Sequence, residues 1–233
     1  MFLIYEDFSR RADAVRARIA EACDRAGRRP GEVELLAVTK TQPPAAVEYA
    51  ARYGLRAVGE NRVQEGVEKR SQAAGAVAWE LIGHLQSNKA GLAAGNFDRV
   101  QSVDSLKLLD VLARAAIRAG KVLPVLLQVN AGADPAKFGA DPADAPSLLE
   151  AALTLPSLRV DGLMAIAPLS RDPSVARRCF ENLRGIRDRL AAQSGTSLSV
   201  LSMGMSGDMG EAIAAGSTQI RIGSALYGER PRP

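Results

Sequence analysis

Histidine, cysteine and aromatic residues are scarce in this chain of 233 residues, which has one histidine, two cysteines and one tryptophan. A single histidine, His84, argues against a histidine-based metal site and against a Ser-His-Asp triad. Cys23 and Cys179 lie far apart in the sequence and match no zinc or redox spacing. We therefore expect no metal ion and reduced thiols in a cytoplasmic protein.

Further absences exclude other classes of protein. Aromatic residues make up 4% of the chain, too few for a platform that stacks single-stranded nucleic acid. The net charge is only +4, and basic and acidic residues alternate along the chain, as on solvated helix faces. No apolar run approaches the ~18 residues of a membrane span, and the first residues lack the basic region of a signal peptide. The sequence predicts no nucleic-acid partner, no membrane segment and a small anionic ligand.

What is present is a regular alternation of helix-like and strand-like segments. The first segment, about residues 5–28, has apolar residues at spacings of three and four and predicts an amphipathic helix. Eight short apolar runs typical of buried parallel strands cover residues 34–39, 55–59, 79–83, 99–103, 122–129, 160–165, 198–203 and 219–223. Helical patterns between them include a helix from about residue 43 and residues 105–119, 145–155, 173–192 and 210–214.

Eight strands that alternate with helices over this length predict an α/β fold, the (β/α)₈ TIM barrel. We expect a single domain over residues 1–233, with the barrel at about 34–230. An open doubly wound sheet is the alternative, but the Gly-x-Gly-x-x-Gly fingerprint expected after its first strand is missing.

Residues that are unusual for a packed core follow the predicted strands. They are Lys40, Gly59-Glu60-Asn61, Gly83-His84, Ser102 with Asp104, Asn130, Met164, Ser202 to Ser206, and Arg221 to Ser224. Because the active sites of such barrels form at the carboxyl ends of the strands, this convergence predicts one binding site at that face.

Lys40 comes directly after an apolar run and Thr39. Desolvation at such a position favours the neutral amine, which is the nucleophile that forms Schiff bases. For Lys40 alone, a strand-end lysine that extends to solvent is the better interpretation. The other post-strand residues shift the balance toward the reactive amine.

Two glycine-containing turns near the end of the chain predict a phosphate site. Small residues between Ser202 and Met209 allow backbone N–H groups to approach an anion, and Gly223 and Ser224 follow the last strand. These turns follow strands seven and eight, where barrels of this fold commonly bind phosphate. Arg221 lies in the last strand, where it either pairs with Glu60 or faces a ligand.

Several post-strand residues have a structural and a functional interpretation. His84 is slightly better explained as a hydrogen-bonded core histidine than as a catalytic group. Asn61 is either a polar contact in the mouth of the barrel or a turn residue. Met164, Met203 and Met205 are best explained as packing at the mouth.

Together these motifs make the chain resemble the pyridoxal phosphate homeostasis protein family, single-domain relatives of the alanine racemase N-terminal barrel. The resemblance runs from Leu35 to Arg230. Its motifs are Leu36 to Lys40, Gly59-Glu60-Asn61 with Gln64-Glu65, Gly83 to Lys89, Ser102 to Ser105, Gln128 to Asn130 with Lys137 and Gly139, Gly162 to Met164, Leu201 to Ser206 with Asp208-Met209, and Arg221 to Ser224 with Tyr227-Gly228.

The resemblance implies pyridoxal 5′-phosphate as the cofactor, held by a covalent imine on Lys40. It further implies a role in vitamin B6 homeostasis with no established reaction, and therefore no catalytic residue. The resemblance implies that Ser202, Ser206, Gly223 and Ser224 surround the phosphate. It also implies that Asn61 and Met203 border the ring, and that Arg221 approaches the pyridine nitrogen or the phosphate side.

Two arguments favour binding over turnover. An arginine beside the pyridine nitrogen weakens the electron sink, and racemisation needs a second base that the racemases take from a further domain. We expect a monomeric protein that holds pyridoxal phosphate and passes it to apo-enzymes that depend on it. The alternatives are a slow racemase or transaminase, and an aldolase that uses Lys40 on a phosphorylated sugar.

Overall fold

A computed structural model describes residues 2–228, so Met1 and the predicted barrel end at Glu229 and Arg230 lie outside the described residues. Its centre is a closed barrel of eight parallel strands, in which each strand pairs with the next and β8 pairs with β1. The strands are β1 (Glu34–Val38), β2 (Ala57–Glu60), β3 (Ala78–Leu81), β4 (Arg99–Val103), β5 (Leu123–Gln128), β6 (Leu158–Met164), β7 (Val200–Ser202) and β8 (Gln219–Ile222). The predicted (β/α)₈ barrel is confirmed.

Helices surround the barrel. They are α1 (Tyr5–Arg25), α2 (Ala45–Arg52), α3 (Val63–Gln72), α4 (Ala90–Asn96), α5 (Leu106–Arg118), α6 (Ala145–Leu153), α7 (Pro173–Ser194), α8 (Met209–Ala214) and α9 (Ser224–Tyr227). Helix α1 ends three residues before the predicted residue 28 and packs against α8 and α9. Beyond its end, Arg28 donates to the carbonyl oxygens of Ile213 and Ser217, both at 2.8 Å.

Local sequence signals fix the helix ends. Helix α7 begins after Asp172, whose side chain accepts a hydrogen bond from the Ser174 amide, and Pro173 occupies its first position. The helix ends at Ser194, and the next residue, Gly195, has a φ of 67°, a left-handed conformation that glycine adopts without strain. Helix α5 begins after Ser105, whose hydroxyl accepts from the Leu108 amide at 3.4 Å. These signals explain why the two helices match the predicted ranges closely.

The layer between the strands and the helices is apolar. Its largest fully buried side chains include Phe8, Phe97 and Phe180, and the leucines of α5 pack on the same layer. The inside of the barrel is less apolar. Among residues 2–228, the apolar cluster there is small, is separate from the main core and consists of Leu36, Val38, Ala57 and Ile82.

Much of the barrel interior is a chain of hydrogen-bonded polar side chains. Gln101 on β4 donates to Gln219 on β8 at 2.7 Å and accepts from Ser202 on β7 at 2.6 Å. Because β4 neighbours neither β7 nor β8, both bonds cross the inside of the barrel. Glu80 accepts from Gln101 and Gln219, and burial raises the pKa of the Glu80 carboxyl. Polar groups therefore fill much of the space that leads to the carboxyl ends of the strands.

Candidate functional site

A cavity of about 230 Å³ opens at the carboxyl ends of strands β1, β2 and β8. Six of the eight predicted cofactor-binding residues line it: Lys40, Asn61, Ser206, Arg221, Gly223 and Ser224. The rest of its wall is formed by Val38, Ile82, Ile166, Met205 and Gly207. The structure thus brings together an amine, a guanidinium group and two small-residue turns that are separated by up to 184 residues in the sequence.

Lys40 lies two residues beyond β1, between two threonines that are held differently. Thr39 is fully buried, and its hydroxyl donates to Glu60 Oε1 at 2.6 Å. Thr41 has a φ of 63°, an unfavourable backbone conformation for a β-branched residue, and its amide donates to Glu65 Oε1. The residues on both sides of Lys40 are therefore held by carboxylates of β2 and α3, Thr39 through its hydroxyl and Thr41 through its backbone amide.

A buried lysine that the sequence analysis did not single out joins these carboxylates. Lys69 on α3 donates from Nζ to the Thr39 carbonyl oxygen at 2.6 Å, to Glu60 Oε1 at 2.6 Å and to Glu65 Oε1 at 3.1 Å. Burial raises the pKa of Glu60, and the ammonium group of Lys69 opposes that rise. The spacing of Glu65 and Lys69, four residues apart on one helix, is the signal that could have indicated their pairing.

Arg221 does not pair with Glu60, so this structural interpretation of Arg221 is wrong. Its Nη1 donates to the carbonyl oxygen of Ser202 at 2.6 Å and to the Ser202 hydroxyl at 2.8 Å, and its Nη2 donates to Ala165 O at 2.8 Å. Burial lowers the pKa of Arg221 to about 10, and the negative charge of Asp208 partly opposes this fall. The guanidinium group therefore remains charged at neutral pH and gives the cavity wall a positive side.

Two of the predicted residues do not line the cavity. Ser202 is fully buried, and its hydroxyl accepts a hydrogen bond from Arg221 and donates one to Gln101. Met203 is also fully buried and belongs to the apolar core. Met164 is also fully buried. Of the three methionines that were expected to pack at the mouth of the barrel, only Met205, which is 40% exposed, reaches the surface there.

The two small-residue turns line the cavity with Ser206-Gly207 and Gly223-Ser224. Gly223 precedes α9, whose first N–H groups have no acceptor within the helix. In the other turn, the Met205 amide donates to Asp208 Oδ1 at 2.6 Å, and Arg18 of α1 donates to the Ser206 carbonyl oxygen at 3.1 Å. Gly204, with a φ of 97°, starts this turn, and a Cβ atom there would lie 2.4 Å from the Ala212 Cβ. The turn can therefore keep this position only with glycine at residue 204.

Asn61 provides a polar group that no atom of residues 2–228 satisfies. Its Oδ1 is buried without a hydrogen-bond partner among the described residues, and the side chain lines the cavity. The backbone carbonyl group of Asn61 lies against Gly83, where a Cβ atom would come within 2.1 Å of the backbone oxygen. An unpaired buried acceptor is costly, so Asn61 is suited to accept a hydrogen bond from a ligand.

His84 is not a core histidine, so the preferred sequence interpretation is wrong. The side chain is exposed at the mouth of the barrel, and its ring stacks on Phe138 with centroids 4.0 Å apart. His84 Nδ1 lies 3.5 Å from Asp104 Oδ2. The sequence could not show this contact, because Phe138 belongs to the segment after β5, more than fifty residues away.

Residues 2–228 contain neither a metal-binding cluster nor a membrane-spanning helix. No group of three or more histidine, cysteine, aspartate or glutamate side chains there is arranged to hold a metal ion. None of the helices in that range has the length and apolar character needed to cross a membrane. Both cysteines are buried as free thiols, and burial raises the pKa of Cys179 to about 11.

A protein family, several relatives and a solved structure match this chain along nearly its whole length. Residues 11–231 match the family model of the alanine racemase N-terminal domain. The pyridoxal phosphate homeostasis protein of Pseudomonas aeruginosa is 43% identical, and the match covers 93% of this chain and 93% of that protein. The one of Aquifex aeolicus is 39% identical, and the match covers 94% of this chain and 97% of that protein. PipY of Synechococcus elongatus, solved with pyridoxal phosphate bound, is 37% identical with a TM-score of 0.85, covering 95% of this chain and all of its own. This chain therefore belongs to the pyridoxal phosphate homeostasis protein family.

Proposed function

We propose that this chain binds pyridoxal 5′-phosphate in the cavity at the carboxyl ends of the strands, with a covalent imine bond to Lys40. The single observation that carries the proposal is that Lys40 lines the same cavity as the turns of Ser206-Gly207 and Gly223-Ser224. Pyridoxal phosphate is an aldehyde and a phosphate in one small molecule, and the cavity holds a partner for each. The bound cofactor of PipY supports the same ligand.

The residues present fit this ligand. A cavity of about 230 Å³ is smaller than the ~300–1,000 Å³ pockets of drug-sized ligands, in keeping with a small cofactor. The unpaired Oδ1 of Asn61 can accept from a ligand hydroxyl, and pyridoxal phosphate carries one on its ring. Backbone N–H groups at the start of α9 and the charge of Arg221 suit a phosphate.

Within this proposal each predicted residue has a distinct task. Ser206, Gly223 and Ser224 hold the phosphate, and Asn61 borders the ring. Arg221 supplies positive charge, and Ser202 acts through Arg221 because its hydroxyl and carbonyl oxygen accept from the guanidinium group. Met203 supports the wall from the core.

The function that this site supports is storage and delivery of the cofactor. When bound, pyridoxal phosphate would supply an aldehyde that condenses reversibly with an amine to give a C=N bond and one water. Lys40 would supply that amine. Water that re-adds to the C=N bond would release the free aldehyde, and a lysine of an apo-enzyme that replaces Lys40 would take the cofactor over as its own imine, either of which returns Lys40 as the free amine. We infer binding and release without robust turnover of amino acids. A single cofactor-binding domain, a monomeric state and a cytoplasmic location belong to the same proposal.

The first experiment is the near-visible absorption spectrum of the protein with pyridoxal phosphate, before and after borohydride. We expect a band that collapses on reduction and a mass label on Lys40. Lys40→Ala should lose the label, while Lys107→Ala, a change of an exposed lysine on α5, should keep it. An equally labelled Lys40→Ala variant would overturn the assignment of Lys40.

A second measurement separates delivery from turnover. Exchange of the α-proton of amino acids in deuterated water reports racemisation or transamination, and we expect negligible exchange at the holoprotein. Rapid exchange that Lys40→Ala abolishes would favour an enzyme instead. A protein that stays colourless with pyridoxal phosphate, yet is labelled by a sugar phosphate and borohydride, would favour an aldolase.

A further inference from the structure

Two lysines lie close to the point where the chain leaves β1, and only one of them lines the cavity. Lys40 is on the cavity wall, whereas the Lys69 side chain is 5% exposed beneath the segment that carries Lys40. A lysine this deeply buried is rare and needs partners for its charge. Lys69 therefore has a structural or positional task that the proposed function does not yet include.

The partners of Lys69 account for all three of its N–H bonds. They are the Thr39 carbonyl oxygen, Glu60 Oε1 and Glu65 Oε1, at 2.6, 2.6 and 3.1 Å. Three acceptors match the three donors of an ammonium group, which has no lone pair for attack on an aldehyde. This set of contacts withholds Lys69 from imine formation.

Each of these acceptors also belongs to, or is bonded to, a residue that adjoins Lys40. Thr39, the residue before Lys40, is held twice, through its carbonyl oxygen by Lys69 and through its hydroxyl by Glu60. Thr41, the residue after it, donates its amide to the same Glu65 oxygen that accepts from Lys69. A threonine at a φ of 63° persists only where surrounding contacts hold it.

We propose, resting on the proposed function, that Lys69 and Glu65 are positioning residues that aim the amine of Lys40 at the cofactor's aldehyde. In the step they assist, the Lys40 nitrogen bonds to the aldehyde carbon. The carbonyl oxygen leaves as water with two protons from the amine, so no oxidant or reductant is needed. Fixing the backbone on both sides of Lys40 raises the fraction of molecules in which the amine is aimed correctly.

The test compares the rate of imine formation with the affinity of the cavity for a ligand that cannot form an imine. Pyridoxine 5′-phosphate carries an alcohol in place of the aldehyde, so its dissociation constant reports the cavity alone. Glu65→Ala removes the acceptor shared by Thr41 and Lys69, and Glu65 is 26% exposed, so the variant should fold. Glu68→Ala, an exposed glutamate of the same helix, is the matched control.

We expect Glu65→Ala to form the imine about tenfold more slowly than Glu68→Ala, the factor for loss of one charge-assisted hydrogen bond. Its dissociation constant for pyridoxine 5′-phosphate should stay within about twofold of the control, far below that factor. Glu65→Gln keeps an acceptor oxygen and should restore most of the rate.

Equal rates in Glu65→Ala and Glu68→Ala would overturn the inference and leave the proposed function intact. A parallel loss of rate and of pyridoxine 5′-phosphate affinity would also overturn it, because the two residues would then support the whole cavity. A wild-type protein that neither forms the imine nor binds pyridoxine 5′-phosphate would instead refute the proposed function itself, and the inference with it.

Discussion

The two faces of the barrel strands have opposite chemistry. Outward-facing residues pack with Phe8, Phe97 and Phe180 in a continuous apolar layer, whereas the inside carries hydrogen-bonded Gln101, Gln219 and their partners. Apolar burial supplies most of the free energy that favours folding, at ~25 cal/mol per Å². Buried polar networks contribute little net stability but are costly when one member is removed. The difference indicates that the apolar outer layer stabilises the fold, while the inner network orients Arg221 at the cavity. The contacts of Lys69 beside Lys40 are a polar exception within the strand–helix layer.

The largest expected effect tests the outer layer. Phe180→Ala on α7 removes a fully buried ring, so we expect a loss of about 3–5 kcal/mol in the free energy of unfolding. Urea denaturation followed by circular dichroism measures this loss. The affinity of the remaining folded protein for pyridoxine 5′-phosphate should be unchanged. A large loss of affinity would show that the two faces do not act separately.

The next effect tests the inner network at its upper end. Arg221→Met leaves the carbonyl oxygens of Ser202 and Ala165 without this donor. We expect a loss of about 1–3 kcal/mol in the free energy of unfolding. Calorimetry should also show pyridoxal phosphate bound at least about tenfold more weakly, the factor for one charge-assisted contact. Unchanged cofactor affinity would contradict the role given to this arginine.

A smaller effect concerns the pH dependence of stability. Because burial raises the Glu80 pKa above the ordinary 4.5, the folded state holds this proton more tightly than the unfolded state. The free energy of unfolding therefore falls as the pH rises from 4.5 through the raised value.

Glu80→Gln should make this decline with pH shallower in a series of urea titrations. The decline should not vanish, because burial also raises the pKa values of Glu60 and Asp208. Glu68→Gln on the exposed face of α3 serves as the control. Equal changes of slope in both variants would show that the interior carboxyl does not cause the decline.

The smallest effect is expected outside both layers. Ile117 on α5 is 66% exposed, so Ile117→Ser should change the free energy of unfolding by no more than about 0.5 kcal/mol. The midpoint of urea denaturation checks this expectation. A larger loss would mean that this helix face is covered in solution, and that the apolar layer extends beyond the buried residues.

The sequence predicted the barrel because its strands are buried on both faces and therefore appear as continuous apolar runs. The run 99–103 coincides with β4, whereas the run 55–59 began at Leu55, a buried residue that precedes β2. Polar residues that end such runs were visible as candidates for the site. Six of the eight predicted residues do line one cavity.

The inner network could not be predicted, because it depends on the register of the closed barrel, whereas of the contacts of Lys69 only the pairing with Glu65, four residues away on one helix, had a signal in the sequence. Gln101 and Gln219 are 118 residues apart and meet only when β4 and β8 face each other across the interior. His84 shows the same limit, since its stacking partner Phe138 lies on a different post-strand segment. Periodicity reports whether a residue is buried, but not which distant residue it contacts.

Closure of the barrel has a consequence for synthesis of the chain on the ribosome. Strand β1 pairs with β8, and Arg28 bonds to Ile213, 185 residues further along. At the usual ~5–20 residues per second, translation of that interval takes roughly 10–40 seconds. During this time one edge of β1 is unpaired and the apolar face of α1 lacks the α8 and α9 surfaces that cover it. Until its last strand has emerged, the nascent chain therefore exposes an unpaired strand edge and apolar helix surface, the two features that make incomplete chains prone to aggregate.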